Sequence, residues 1–358
     1  MVRSASWSKM THARRPELDG LRGVAILLVL ASHAHVPGFA REGGAVGVGL
    51  FFVLSGYLIT SILVAEHARV GRVGFRTFYL RRALRLFPAL GALLLTVVVA
   101  SVVFHIQPGP PTRLGPTVAA VVAYVGNWYQ ALGNPLGILG QTWTLAVEEQ
   151  FYIIWPTLLV LAMAVVSPRT AGILILGLAI LITPWRLVLL GIGDIGHVYF
   201  GTDTHADALL VGCAIAILGT RLPARWGWAA IIALVAVDMA WPDGTLAALA
   251  LGLPLTAFLG WVAVASCPGR LAWAPLAYVG RISYGLYLWH YLFIWSGLPW
   301  PVVLAVSFGV AMLSYHLLET PFLRLKDRFS TAPARPDLRL ALEPALVPER
   351  GTDRAVSG

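Results

Sequence analysis

Charge is what this sequence has least of. Only 12% of its 358 residues are charged, 58% are hydrophobic, and the mean hydropathy is +0.76. Ordinary soluble domains carry about twice that charged fraction, so a soluble globular enzyme is excluded. Cysteine is almost missing as well. Cys213 and Cys267 are far apart and lie in or beside apolar segments, which leaves no disulfide framework and no metal-ligand spacing. No internal repeat supports an inverted-repeat transporter. The first apolar run is bracketed by Asp19 and Arg22 and leads into further spans, so it is expected to be a retained helix rather than a cleaved signal. The net charge of +9 does not point to nucleic acid, because the positive residues cluster between hydrophobic runs, as in loops that stay cytoplasmic.

What remains is an all-α polytopic membrane protein. Apolar spans are expected near residues 20–36, 44–65, 86–106, 143–166, 171–190, 205–219, 227–241, 245–266, 283–298 and 301–318. Segment 117–132 is an eleventh, shorter candidate. Arg14 and Arg15, the group from Arg69 to Arg85, Arg169, Arg221 and Arg225, Arg270 and Arg281, and finally Arg324, Lys326 and Arg328 fall on one side only if ten segments cross and 117–132 does not. Segment 117–132 is therefore expected to be a re-entrant or partial helix on the outer side, tolerated where it is buried or lines a cavity. The organisation expected is a cytoplasmic N-terminal segment 1–17, a membrane domain 18–322, and a basic, then proline-rich and disordered tail 323–358, with both termini cytoplasmic.

Several polar residues sit where lipid makes them costly. In "LDGLRGVAILLVLASH", Arg22 and His33 are eleven residues apart, close to three helical turns, so they share a face about 16 Å apart along the axis. Asp19 lies one turn before Arg22 on that face. Arg22 alone reads as a snorkelling boundary residue; His33 aligned with it reads as a site, since intramembrane ionisable groups usually mark one. In "FYLRRALRLFP", Arg81, Arg82 and Arg85 converge on one helical surface, and Phe87-Pro88 is expected to break the helix before the third span. That cluster suits phosphate recognition and equally suits a topology anchor or a contact with anionic membrane lipid.

Glu148 and Glu149 in "TWTLAVEEQFYIIWP" stand inside a span, and at least one must meet an arginine, a histidine or a water-filled cavity. Ser283, Tyr287 and His290 share a face at i, i+4, i+7, as acceptor-side groups or as structural partners of a neighbouring helix. His205 and Asp207 open another span on the outer side, and His316 and Glu319 lie near the end of the last one.

With these stretches, "GVGLFFVLSGYLIT" and "ISYGLYLWHYLF" complete five segments in order, and together they resemble the acyltransferase-3 family of integral membrane O-acyltransferases over roughly residues 16 to 322. The resemblance implies transfer of an acyl group, usually acetyl, from cytoplasmic acyl-CoA to a hydroxyl of a carbohydrate or glycosylated product such as a surface polysaccharide or macrolide sugar. It implies a bacterial cytoplasmic membrane location and no metal. The family's Arg-x10-His element falls on Arg22 and His33, and its Arg-x-x-Arg element on Arg82 and Arg85. On that reading the catalytic candidates are His33, as proton acceptor or transient acyl carrier, and Glu148 and Glu149, which orient His33 or hold an arginine. Arg82 and Arg85 are expected to bind the acyl-CoA donor, and Arg22 to bind it or to pair with Asp19 or a glutamate. Two positions depart from the family: Gly49 stands where an acidic residue is common, and His205 where many members have arginine. Some members carry a fused hydrolase-like domain; with none in this sequence, transfer is expected to finish in the membrane domain or on a partner. The rival class is a transporter or flippase, for which intramembrane Arg, His and Glu would serve as a proton relay.

Overall fold

The computed structural model describes residues 15–106 and 112–328. The expected segment 1–17, apart from its last three residues, lies outside them, as does the expected tail beyond Arg328. The described chain is all helix, with no strand among the described residues. Fifteen α-helices follow in chain order: α1 Pro16–His33, α2 Gly44–Val70, α3 Phe75–Val102, α4 Leu114–Val122, α5 Gly126–Ala131, α6 Thr142–Val165, α7 Pro168–Gly191, α8 Ile195–Phe200, α9 Thr202–Leu218, α10 Ala224–Met239, α11 Leu253–Ser266, α12 Ala274–Arg281, α13 Ser283–Ile294, α14 Trp300–Leu313 and α15 Thr320–Arg328. Wide-turn π segments at Ala248–Gly252 and Ser314–Glu319 extend α11 backward and join α14 to α15.

Every apolar span expected from the sequence overlaps a helix, although those expected at 20–36, 86–106 and 283–298 end earlier, at His33, Val102 and Ile294. Seven helical stretches are long and apolar enough to cross a membrane: Gly44–Val70, Phe75–Val102, Thr142–Val165, Pro168–Gly191, Ile195–Leu218, Ala248–Ser266 and Trp300–Leu325. The other three expected spans fall on α1, whose 18 residues include Glu17, Asp19 and Arg22, and on the shorter α10 and α13. Segment 117–132 forms α4 and α5, of nine and six residues, separated by Tyr124 at φ +53°; neither is long enough to cross.

Burial separates the centre of the bundle from its rim. The apolar windows of α2 and α8–α9 are 72% buried, whereas those of α3, α7 and α14 are only 22 to 28% buried and present leucine, isoleucine and valine outward. An outward apolar surface is what hydrocarbon demands. The central pair approaches to backbone contact: a Cβ at Gly56 of α2 would strike the Leu209 carbonyl, and one at Gly212 of α9 the Val53 carbonyl. Small residues permit this spacing in a bilayer, where association relies on packing.

One expectation fails. α3 does not break at Phe87-Pro88; it runs unbroken from Phe75 to Val102 with Pro88 inside. Proline removes a single N–H from the ladder, and membrane helices tolerate that loss. The arginine cluster and the third span are therefore one rigid element.

Candidate active site

Two polar stripes face one another. The α1 face carrying Arg22 and His33 lies along the α13 face carrying Ser283, Tyr287 and His290. At one end, Arg22 Nη2 donates to Ser283 Oγ at 3.0 Å, and its guanidinium stands 5.8 Å from the Phe51 ring centre. At the other end, His33 Nδ1 and His290 Nε2 are 3.0 Å apart, with ring planes within 4° of parallel. Between them, the Tyr287 hydroxyl donates to the Gln141 carbonyl at 2.9 Å. The Thr144 hydroxyl lies 2.7 Å from the Tyr287 hydroxyl and 3.3 Å from the same carbonyl, so the three groups share one hydrogen-bonded cluster. Asp19 lies one turn before Arg22, with its backbone carbonyl packed against Gly280 of α12.

On the Arg22 side is an inner cavity of about 140 Å³, walled by α1, α2, α3, α6 and α13. Arg22, Arg82, Arg85, Glu148 and Ser283 all line it. Arg82 is already engaged. Its Nε and Nη2 donate to Glu149 Oε1 at 2.7 and 2.5 Å, Glu148 Oε2 lies 3.8 Å away, and the Tyr152 ring sits 3.5 Å beneath the guanidinium. Glu148 also accepts from Ser55 Oγ at 2.7 Å. Both glutamates therefore meet arginine, whereas the ring nitrogen hydrogen bond of His33 goes to His290. Arg85 is exposed at the cavity and makes no ion pair among the described residues. The cations left to attract an anion are Arg22 and Arg85.

On the His33 side is an outer cavity of about 360 Å³. Its lining includes Trp143, Tyr199, Phe200, Tyr291 and Trp295 together with His33, Gln141 and the charged Arg41 and Glu42. The loop after α1 is held over it by Asp243, whose carboxylate accepts the backbone N–H groups of Arg41 and Glu42 at 3.0 and 2.9 Å. Glu42 in turn accepts from the Gly244 N–H at 3.0 Å. Among the described residues only Val48 and Tyr287 line both cavities, so they form the wall between them.

His205 and Asp207 line neither cavity. His205 Nε2 donates to the Tyr199 carbonyl at 2.8 Å, and its ring packs on Trp143 and Phe52. Asp207 forms a fully buried ion pair with Arg186 of α7, whose Nε also donates to the Thr204 carbonyl at 2.7 Å. Arginine, absent at position 205, is thus supplied from the neighbouring helix. Sequence reasoning passed over Arg186, although an arginine inside "LITPWRLVLL" is the kind of intramembrane charge that signals a partner. Gly49 faces α11 rather than α1: a Cβ there would lie 2.5 Å from Thr256 Cγ2, so an acidic side chain would displace that contact. Two further groups escaped notice: Asp238 of α10, which accepts from Ser32 Oγ at 3.1 Å, and Gln150, which donates to Asn127 and to the Tyr124 carbonyl, tying α6 to the α4–α5 segment.

Comparison with known proteins agrees with this architecture. A family model described as an acyltransferase domain, that of the acyltransferase-3 family, matches residues 15–316. The peptidoglycan O-acetyltransferase OatA of Listeria monocytogenes is 34% identical, aligned over 86% of this chain and 55% of its own length. The putative peptidoglycan O-acetyltransferase YrhL of Bacillus subtilis is 33% identical over 87% of this chain and 55% of its own. A putative O-acetyltransferase of Staphylococcus aureus is 30% identical, with corresponding shares of 86% and 57%. This chain thus spans little more than half the length of these relatives. No solved structure matches it. With a family model covering most of its length, the chain belongs to the acyltransferase-3 family.

Proposed function

We propose that this protein is a membrane O-acyltransferase that moves an acetyl group from cytoplasmic acyl-CoA to a carbohydrate hydroxyl on the opposite side of the membrane. The observation that carries this reading is the pair of cavities sharing one wall, with Arg22, Arg82 and Arg85 lining one and His33, backed by His290, lining the other together with several aromatic side chains. In this reading α1, α10 and α13 join the seven long helices to make ten crossings, with α4–α5 as the partial helix. Both termini and the arginine-rich loops then face the cytoplasm.

Arg22 and Arg85 attract the phosphates of the donor, with guanidinium geometry suited to them. Glu148 and Glu149 hold Arg82 in place against Tyr152 and neutralise it. The acyl end passes the Val48–Tyr287 wall toward His33. There a hydroxyl of the acceptor, seated among Trp143, Tyr199 and Tyr291, gives its proton to His33 as it attacks the thioester. The names of the relatives favour a peptidoglycan-type glycan as the acceptor. The aromatic lining supports a sugar, whose apolar ring faces pack on such side chains.

The test uses purified protein in detergent with labelled acetyl-CoA and soluble muropeptides, followed by mass spectrometry of the glycan. Acetylated glycan and free thiol in equal amounts are expected. Movement of a glycan or proton in vesicles without acetyl transfer would instead mark a transporter.

A further inference from the structure

The histidine pair has only one proton arrangement that satisfies all its contacts. His290 Nδ1 lies 3.0 Å from the Leu286 carbonyl, which can only accept, so His290 carries its proton on Nδ1. Its Nε2 is then a lone pair. The group facing that lone pair at 3.0 Å is His33 Nδ1, which must be the donor. The proton of neutral His33 therefore resides on Nδ1, and its Nε2 is the unprotonated nitrogen. That atom lies beside Gly44 at the start of α2, so close that an added Cβ would come within 3.1 Å of it, and Gly44 and His33 both line the outer cavity.

We infer that His290 is the positioning residue of the transfer reaction, fixing His33 as the Nδ1–H tautomer so that Nε2 receives the acceptor's proton. The inference rests on the acyltransferase reading for the reaction, but the tautomer stands on geometry alone. In the step it serves, the acceptor O–H proton moves to His33 Nε2 while the oxygen forms a bond to the thioester carbonyl carbon. The C–S bond then breaks, and the departing thiolate takes the proton back from Nε2, leaving ester and thiol. Throughout, Nδ1–H stays on His290, which supports the imidazolium as it forms. An orienting partner for a catalytic histidine is more often a carboxylate. Here the partner is 1% exposed and within a membrane domain, where an anion is costly. A neutral imidazole gives the same directional control without a charge. The buried carboxyl of Asp238 accepts from Ser32 and makes no hydrogen bond to either histidine among the described residues.

The decisive experiment combines spectroscopy with kinetics on the full chain in detergent. In ¹⁵N-histidine-labelled protein, the His33 signals are found by subtracting the His33→Ala spectrum. They are expected to show a protonated Nδ1 and an unprotonated Nε2. His290→Leu should mix the tautomers and lower kcat for acetyl transfer to soluble muropeptide by about 10²-fold, with the KM for acetyl-CoA unchanged. His290→Gln keeps an acceptor oxygen for Nδ1–H and should restore activity to within about tenfold of wild type. A wild-type spectrum with the proton on Nε2, or full kcat in His290→Leu, overturns the inference. Because the wild-type spectrum needs no substitution, a variant that fails to fold does not remove the test. If His33→Ala keeps full transfer, the functional reading falls, while the spectrum still decides the tautomer.

Discussion

The two cavities differ in how they handle polarity, although a single layer of side chains separates them. The inner one is built on full charges: Arg82 braced by Glu148 and Glu149, and Arg22 and Arg85 facing the space. The outer one also has Arg41 and Glu42 in its lining, but around His33 the positioning is done by hydrogen bonds rather than ion pairs, from His33 to His290 and from Tyr287 to the Gln141 carbonyl. A phosphate-bearing donor from water can repay the cost of holding arginines in place. A sugar hydroxyl cannot, and aromatic faces with one oriented imidazole suit it better. The same helices, α1 and α13, supply both regions, so the change in chemistry happens along two parallel stripes.

The largest expected effect breaks the comparison at its outer end. His33→Ala should lower kcat by about 10³-fold, with little change in the KM for acetyl-CoA, because the proposed general base is lost while the arginines remain. Steady-state kinetics in detergent checks this; a change confined to KM would erase the division of labour. Next comes a control away from both cavities. Asp207→Asn should leave Arg186 buried without its counter-charge and cost about 3 kcal/mol of stability. It should appear as a lower unfolding temperature, with the folded fraction still active. Arg85→Ala sharpens the inner end: the KM for acetyl-CoA should rise about tenfold, equivalent to about 1.4 kcal/mol, with kcat nearly unchanged. Tyr287→Phe, at the shared wall, should have the smallest effect. It removes one hydroxyl bonded to Thr144 and Gln141, worth about 1 kcal/mol in unfolding measurements.

Much of this was legible in the sequence because helical geometry is local. The eleven-residue interval from Arg22 to His33 defines one face of α1 whatever packs against it, and the i, i+4, i+7 spacing does the same for Ser283, Tyr287 and His290. Which stripe meets which is a tertiary fact, since Arg22 and Ser283 are 261 positions apart. For the same reason the glutamates could be placed beside either an arginine or a histidine, and only packing assigns them to Arg82. Arg186 was hidden inside an apolar run whose hydropathy it barely lowers. Pro88 misled because a rule drawn from helices in water was applied to one in lipid, where neighbouring helices sustain the interrupted ladder.

The central claim is that donor and acceptor occupy opposite ends of one site joined through the Val48–Tyr287 wall. Reconstitution in vesicles with all molecules in one orientation tests it most directly. Acetyl-CoA is supplied only at the face bearing Arg85, and a membrane-impermeant muropeptide only at the other. The account predicts acetylated muropeptide from wild type and essentially none from His33→Ala. Transfer that occurs only when both substrates share one face would contradict it.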